Sequence, residues 1–397
     1  MACNRSDVPI ESDLSEKFRR LVEVGLALTS ERNVPVLLGR ILLEARRFTC
    51  AEAGTLYLVT PDGKLQFSVV QNDRLGHSEV LVGNDSQPIT IEVLPTSIAG
   101  RVTATGMALN IPDVYALPDS CGFQFDSSFD LKTGFHSQSM LVVPMKTPEG
   151  GIVGVIQLIN VRHPGAEEVT AFPKEHEELV LCLASQAAVA LSNANLTRDL
   201  QLAYSEAIKR LARAAEFRDQ DTGEHIERVS QYAAAIAEAL EFPPADVSKI
   251  LLASTLHDIG KLAIPDSILL KPGKLTDEEY AKMKLHPKLG ADILAGSENP
   301  MLHLAAEIAI SHHEKWDGSG YPRGLKGDEI PLAGQICAVA DVFDALSSVR
   351  CYKKAMSLEE ASEFLRKETG RHFSPRVVDA FFGVMDKISM IHSRFSA

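Results

Sequence analysis

The stretch Ile250-Leu251-Leu252-Ala253-Ser254-Thr255-Leu256-His257-Asp258-Ile259-Gly260-Lys261 joins a mostly apolar run to a His-Asp pair. The apolar run predicts a buried helix, so the pair is expected to enter the protein interior. A buried carboxylate is unfavourable unless it is compensated, and a divalent metal ion that accepts imidazole and carboxylate ligands offsets that cost. A hydrogen-bonded core pair is the alternative that the dipeptide alone would favour.

Histidines are concentrated in the same part of the chain, since six of the twelve lie between His225 and His313. Asp341 follows in an apolar run, where an unpaired carboxylate would be unfavourable. Clustering of ligand-type residues indicates a metal site rather than ordinary core residues. His303, His372 and His392 fit no such pattern and are interpreted as structural.

Motifs in this region occur together in one family. In chain order they are Arg218-Asp219 with Thr222-Gly223-Glu224-His225, residues 257–261, His286-Pro287, residues 312–331, residues 341–346 and residues 350–355. Residues 207–355 therefore closely resemble the HD-GYP branch of the HD hydrolases, which implies an all-α domain. The resemblance implies these metal ligands, with Asp258 bridging two ions: His225, His257, Asp258, His286, His312, His313 and Asp341.

The resemblance also implies the reaction. HD-GYP enzymes hydrolyse cyclic di-GMP to the linear dinucleotide pGpG or onward to GMP, and some act on cyclic GMP-AMP. Asp258 and Lys261 are the implied catalytic residues, and the implied substrate-binding residues are Lys261, Arg350, Lys353 and Tyr321. Tyr321 lies in the glycine-rich loop of residues 317–331 and has two open roles, which are stacking on a base and holding that loop.

The ligand set consists of nitrogen and oxygen donors without thiolate, which with the resemblance favours two iron or manganese ions over structural zinc. The three-metal members of the family use a glutamate four residues before the first histidine ligand. Here that position is Asp221, whose side chain is shorter, so we expect a third ion to be weakly held or absent. A non-catalytic cyclic-dinucleotide receptor and a hydrolase of another nucleotide are the competing functions.

The N-terminal half has a different pattern. Strand-like runs at 55–60 and 64–71 flank Pro61-Asp62-Gly63, and runs at 138–146 and 152–160 flank a Pro-Glu-Gly-Gly turn, which predicts two hairpins. Helical spacing between residues 15 and 48 and again at 97–105 adds helices. An α+β domain results, with an antiparallel sheet and flanking helices.

Details of this half resemble a GAF domain: Ser97-Ile98-Ala99-Gly100 and residues 110–115, 129–135, 139–145 and 154–160. The cyclic-nucleotide-binding branch is the most similar, which implies a small-molecule ligand such as a cyclic nucleotide. The chain departs from that branch's Asn-Lys, Phe and Asp-Glu signature, because Val161 follows Asn160 and His176 precedes Glu177. A structural or dimerising role is the alternative.

Neither Pro nor Gly occurs between Lys174 and Thr222, which predicts one continuous helix of roughly 70 to 75 Å. A seam with alternating spacings of four and three predicts a parallel homodimer, with packing on the hydrolase domain as the alternative. That seam consists of Leu200, Tyr204, Ala207, Leu211 and Ala214. The expected plan is a flexible segment 1–14, a GAF sensor 15–173, a connecting helix 174–215 and an HD-GYP domain 216–397.

Composition limits the class of protein. A net charge of -13 argues against a nucleic-acid polymer as partner. Six cysteines without a close pair suit a reducing compartment. The first residues show no charged segment followed by an apolar run, and the longest apolar stretch, residues 179–191, is short and interrupted. A cytoplasmic protein without membrane insertion is therefore expected.

Overall fold

A computed structural model of the protein describes residues 19, 22–28, 30–31, 33–81, 89–162, 168–218, 224–348 and 355–395. The predicted flexible segment 1–14 lies outside these residues. The chain divides into two compact units, Met1–Leu200 and Gln201–Ala397.

The first unit is built on an antiparallel sheet. Its strands are β1 (Ala51–Val59), β2 (Leu65–Asn72), β3 (His77–Val80), β4 (Thr90–Ile91), β5 (Leu109–Ile111), β6 (Met140–Lys146) and β7 (Ile152–Val161). They lie in the order β3-β2-β1-β7-β6-β5, and β4 also pairs with β2. Both predicted hairpins are present, as β1 with β2 and β6 with β7. The central pairing of β1 with β7 joins them into one sheet.

Helices cover this sheet. They are α1 (Val34–Thr49), α2 (Ile98–Thr105) and α3 (Ser128–Thr133), and residues 22–28 are also helical. Asn33 caps α1 by accepting a hydrogen bond from the backbone of Val36. One apolar core contains α1 residues such as Leu38 and Ile41, while a second contains Val102 of α2. The predicted α+β architecture is confirmed.

The long helix α4 (Lys174–Phe217) follows Pro173 and contains 44 residues, a length of about 66 Å. It ends at Phe217, so the prediction that it reaches Thr222 is wrong; residues 219–223 lie outside the described part. Because no Pro or Gly marks this end, we attribute it to tertiary contacts of Arg218. That side chain donates to the carbonyl of Ile264 at 2.8 Å and pairs with Asp266 at 2.7 Å.

By length and composition alone, α4 could cross a membrane. The same helix supplies Val180, Leu183, Ala187 and Leu191 to a buried core of the first unit. Apolar residues of a core helix satisfy the same test, so this single helix is weak evidence for a membrane span.

The regular secondary structure of the second unit is helical in its described residues, apart from an isolated bridge between Thr369 and Phe373. Its helices are α5 (Glu224–Ala239), α6 (Pro244–Ala253), α7 (Asp266–Leu269), α8 (Asp277–Met283), α9 (His286–Leu294), α10 (Pro300–Ser311), α11 (Leu332–Ser347), α12 (Leu358–Lys367), α13 (Pro375–Gly383) and α14 (Met385–Arg394). Its core includes Tyr232 of α5, whose ring packs 5.6 Å from that of Phe343 in α11.

The His257-Asp258 pair lies where regular helix gives way to tighter turns. Helix α6 ends at Ala253, and 3-10 turns at Ser254–Leu256 and Ile259–Ala263 flank the pair. Gly260 permits a close approach, because a Cβ atom there would lie 1.9 Å from the carbonyl oxygen of His286. The start of α9 is thereby brought against the His-Asp turn.

Candidate metal centre

Ligand-type side chains from five parts of the second unit converge. His225 begins α5, Asp258 lies between the two 3-10 turns, and Asp341 lies within α11. The potential ligand atoms form two groups, each with all atoms within 4.8 Å of one another. The first group is Asp258, His286, His312 and His313, and the second is His225, His257 and Asp341.

Asp258 lies between these groups. Its Oδ1 atom is 3.1 Å from Nε2 of His286 and 3.5 Å from Nε2 of His312. Its Oδ2 atom is 3.4 Å from Nε2 of His257 and 2.8 Å from the ammonium of Lys261. One carboxylate therefore directs its two oxygens toward different histidines.

Three of the imidazole rings are oriented in the same way. In each, Nδ1 lies 2.9 Å from the carbonyl oxygen three residues earlier, as in His257 with Ser254. His286 and His312 make the equivalent bonds to Met283 and Ala309. Because a carbonyl can only accept, Nδ1 carries a proton in each ring, and a ring in its neutral form presents the lone pair of Nε2 to the cluster.

His225 is oriented by a carboxylate instead. Oδ2 of Asp344 lies 2.7 Å from Nδ1 of His225, and Nε2 of the same ring lies 3.4 Å from Asp341. The buried guanidinium of Arg228 donates hydrogen bonds of 2.6 and 2.9 Å to the carboxylate of Asp344. Sequence analysis did not assign Asp344 or Arg228, although a second aspartate three residues after Asp341 was a usable signal.

The residues present fit a divalent metal. Within the cluster, four buried atoms have no hydrogen-bond partner among the described residues: Nε2 of His257, His286 and His312, and Oδ1 of Asp258. Leaving such atoms unpaired is unfavourable. Imidazole nitrogen and carboxylate oxygen are donors that divalent transition metals accept.

Electrostatics couple the cluster's protonation states. Burial alone would lower the pKa of His257, but the Asp258 and Asp341 carboxylates raise it to about 9. Burial would raise the pKa of Asp258, yet Lys261 and His257 hold it well below its usual range. Burial together with His312 and His286 depresses the pKa of His313. The Asp258 carboxyl group is therefore ionised at neutral pH, where it can act as a metal ligand.

Comparison with known families identifies both units. Residues 33–191 match the GAF domain family, and residues 208–377 match the HD domain family. The chain is a GAF domain followed by an HD domain. This confirms the resemblances found in the sequence, and the HD domain with its His/Asp cluster indicates divalent metal binding.

Relatives of the chain are named as phosphodiesterases. The cyclic di-GMP phosphodiesterase response regulator RpfG of Xanthomonas campestris pv. campestris is 49% identical, over 48% of this chain and 50% of its own length. A cyclic di-GMP phosphodiesterase of Vibrio cholerae is 48% identical, over 48% of this chain and 41% of its own. A 3'3'-cGAMP-specific phosphodiesterase 2 of the same organism is 45% identical, over 51% of this chain and 38% of its own. The chain thus spans half or less of these relatives.

The glycine-rich loop of the HD domain is held by Glu314, a buried residue that sequence analysis did not assign. Its carboxylate accepts hydrogen bonds from the backbone of Arg323 at 2.7 Å and of Leu325 at 3.0 Å. Gly320 allows the loop to fold back, since a Cβ there would lie 2.3 Å from Lys315 nitrogen. Tyr321 then stacks on His313 with ring centroids 4.8 Å apart.

Three of the predicted site residues fall outside the described residues: Arg350, Lys353 and Asp221. Tyr321 and Lys261 both border the cluster. The three histidines interpreted as structural have other neighbours: His303 contacts the Ser297 carbonyl, His372 stacks on Phe373, and His392 lies 3.2 Å from the Tyr232 hydroxyl.

The last turns of α4 also reach this centre. A cavity of about 20 Å³, enough for one water molecule, is lined by Glu216 together with His225, His257, Asp258 and Lys261. Ala212 and Ala215 of the same helix line its wall and are buried in the HD core. Sequence analysis predicted this part of α4 as a connecting helix with a dimer seam, and packing on the hydrolase domain as the alternative.

In the GAF domain a groove of about 640 Å³ is lined by residues such as Thr96, Tyr115 and Gln124. The Tyr115 hydroxyl donates to buried Asp130 at 2.8 Å, and Asp130 also accepts from Ser137. On the sheet, Asn160 binds the backbone of Gln138 and His136. A salt bridge of 2.6 Å joins Arg162 to Glu52 there.

Proposed function

We propose that this chain is a metal-dependent phosphodiesterase whose HD domain hydrolyses cyclic di-GMP to pGpG, GMP or both. The observation that carries the proposal is the position of Asp258, whose two oxygens approach histidines of both ligand groups while Lys261 lies 2.8 Å away. Relatives named cyclic di-GMP phosphodiesterases support the substrate. Relatives named cGAMP-specific support cyclic GMP-AMP as the second candidate.

The metals in this proposal are two iron or manganese ions. The nitrogen and oxygen donors and the lack of thiolate in the cluster support this choice. One ion would be held by the group around His286, the other by the group around His225, and Asp258 would be shared. Bound divalent ions supply Lewis acidity, which lowers the pKa of water and neutralises phosphate oxygens.

The chain's own groups bind and orient the substrate. The ammonium of Lys261 is held at Asp258 by a 2.8 Å ion pair and can neutralise charge that develops on a phosphate or leaving oxygen. Arg350 and Lys353 are proposed to bind the substrate phosphates. Tyr321 is proposed to lie beside the substrate while its stack on His313 also holds the loop.

A receptor that binds cyclic dinucleotide without cleaving it is the alternative from another class. Loss of ligand residues would favour that alternative. All seven ligand positions inferred from the family resemblance are occupied in this chain, which favours hydrolysis.

We further propose three domains: the GAF sensor 15–173, the connecting helix 174–215 and the HD-GYP domain 216–397.

We also propose that the chain forms a homodimer through α4. Leu200 and Leu211 of the predicted seam are 72% and 64% exposed in the single chain. A different stripe, with Ile208, Ala212 and Ala215, packs into the HD core. Tyr204 of the seam accepts a 3.2 Å hydrogen bond from Asn299 of the HD domain. The exposed leucines of the seam are available to a second copy, which supports the dimer over packing on the hydrolase.

Regulation is proposed to begin with a small molecule, such as a cyclic nucleotide, in the GAF domain. Helix α4 could transmit its effect, because Arg218 after its last turn holds the carbonyl of Ile264 and the carboxylate of Asp266, both shortly after Lys261. A cytoplasmic location suits a cyclic dinucleotide substrate and unpaired cysteines.

The test is to load the protein with Mn²⁺ or Fe²⁺, incubate it with cyclic di-GMP and with cyclic GMP-AMP, and separate the products by chromatography. We expect pGpG or GMP from cyclic di-GMP, and none from a His257→Ala control. Absence of turnover with both dinucleotides would contradict the enzyme proposal, and binding without turnover would establish the receptor alternative.

A further inference from the structure

A lysine that belongs to none of the motifs above lies at the edge of the metal centre. Lys284 follows α8, two residues before His286. Its ammonium lies 4.6 Å from the ring centroid of Tyr280 and 5.3 Å from that of Tyr321. Contact with two aromatic rings restricts the rotamers of the Lys284 side chain. Less conformational entropy is therefore lost when this side chain binds a ligand.

Tyr321 lies between this lysine and the metal-ligand cluster. Its ring stacks on His313, and the charged groups that influence its hydroxyl include Asp258, Asp341 and Lys261. Lys284 is therefore one ring away from the cluster. A group held beside Lys284 and Tyr321 would lie next to the metal centre.

The neighbouring groups leave Lys284 available. The Lys284 ammonium makes no hydrogen bond or ion pair with any residue in the described ranges, and aromatic faces are not full hydrogen-bond acceptors for its three N–H donors. Tyr280 is 48% exposed and presents a ring beside the ammonium. An exposed ring next to a fixed cation suits a planar base that carries hydrogen-bond acceptors.

We propose that Lys284, with Tyr280 and Tyr321 beside it, recognises a guanine base of the substrate and sets the preference for guanine over adenine. This inference rests on the proposed function. Guanine presents two acceptors, N7 and O6, on one edge, whereas adenine presents N7 and a donating amino group. A lysine only donates, so it matches the guanine edge and opposes the adenine amino group.

The test compares wild type with Lys284→Met, which removes the charge and keeps the length. Binding of non-hydrolysable phosphorothioate analogues of cyclic di-GMP and cyclic di-AMP is measured by calorimetry on the metal-loaded protein. We expect Lys284→Met to weaken binding of the guanine analogue by about 10- to 100-fold and to leave the adenine analogue within about twofold. Lys284→Arg retains donors and should keep the preference for guanine.

Lys282→Met is the matched control. It removes the same charge two residues away, on a face of the helix about 200° round, and Lys282 is exposed. Metal content should be unchanged in both variants, and Lys282→Met should also bind both analogues as wild type does. Equal weakening of both analogues would overturn the proposal by assigning Lys284 to phosphate, and so would no weakening. Failure of wild type to hydrolyse either dinucleotide contradicts the proposed function instead, and the binding comparison still decides the role of Lys284.

Discussion

Asp344 accepts the Nδ1 proton of His225 at 2.7 Å, which turns the other ring nitrogen toward Asp341 at 3.4 Å. Partners of this kind typically change metal affinity by about 10- to 100-fold. We expect Asp344→Asn to weaken metal binding by about that factor, because the amide has no charge to stabilise the ring and Arg228. Competition with a chelator measures the affinity. The exposed Asp379→Asn is the control, and unchanged affinity in Asp344→Asn would refute this role.

Removal of a ligand should abolish catalysis and lower the amount of bound metal together. We expect His257→Ala and Asp258→Ala each to lose hydrolysis of cyclic di-GMP and to bind less metal, with the larger metal loss for Asp258, whose oxygens face both groups. Metal analysis and product chromatography measure the two effects. His303→Ala changes a histidine outside the cluster and should leave both at wild-type values. Full activity with normal metal content in either ligand variant would be incompatible with the proposed centre.

Metal binding should strengthen as pH rises. The carboxylates of Asp258 and Asp341 raise the pKa of His257 to about 9 against the effect of burial, so the metal-free ring is protonated below that pH. A metal accepts only the neutral ring, and binding must therefore release this proton. We expect affinity to rise about tenfold per pH unit from pH 7 to 9. Chelator competition across this range measures it, and a pH-independent affinity would contradict the shift.

We expect the number of metals to depend on Asp221, four residues before His225. The family resemblance implies a glutamate at this position in three-metal members, and an aspartate reaches less far, so we expect two tightly held ions. Lengthening the side chain in Asp221→Glu should raise the content toward three equivalents, as measured by elemental analysis. Three equivalents in wild type that fall to two in Asp221→Ala would show that the aspartate already suffices.

The register of α4 should matter for regulation. Two residues inserted near Asn195 rotate the ends of the helix by about 200° relative to each other, whereas seven residues complete nearly two turns. We expect the two-residue insertion to change the rate of hydrolysis and the seven-residue insertion to leave it close to wild type. Sedimentation and product analysis measure oligomeric state and rate. Should the two-residue insertion alter neither, coupling through a continuous helix would be excluded.

Local sequence patterns predict much of the secondary structure of this protein and the residue types of its metal site. The hairpins follow from alternating runs around turn residues such as Gly63, and the long helix follows from the absence of Pro and Gly after Pro173. Residue chemistry at His257-Asp258 and His312-His313 indicated a metal site because imidazole and carboxylate have few other reasons to lie in apolar helices. These features depend on residues that are near one another in the chain, so a single sequence contains the signal.

Other features depend on residues that are far apart in the chain. Three contacts join segments whose local sequence patterns do not predict the partner. They are the pairing of β1 with β7, the contact of Gly260 with the start of α9, and the hydrogen bond between Asp344 and His225. The end of α4 at Phe217 is likewise associated with Arg218 contacts to Ile264 and Asp266 rather than with a helix-breaking residue. Packing decides such relationships, because many registers satisfy local propensity while one arrangement fills the core and pairs its buried charges. Sequence alone determined the types of ligand; tertiary structure decided which histidines each oxygen of Asp258 would face.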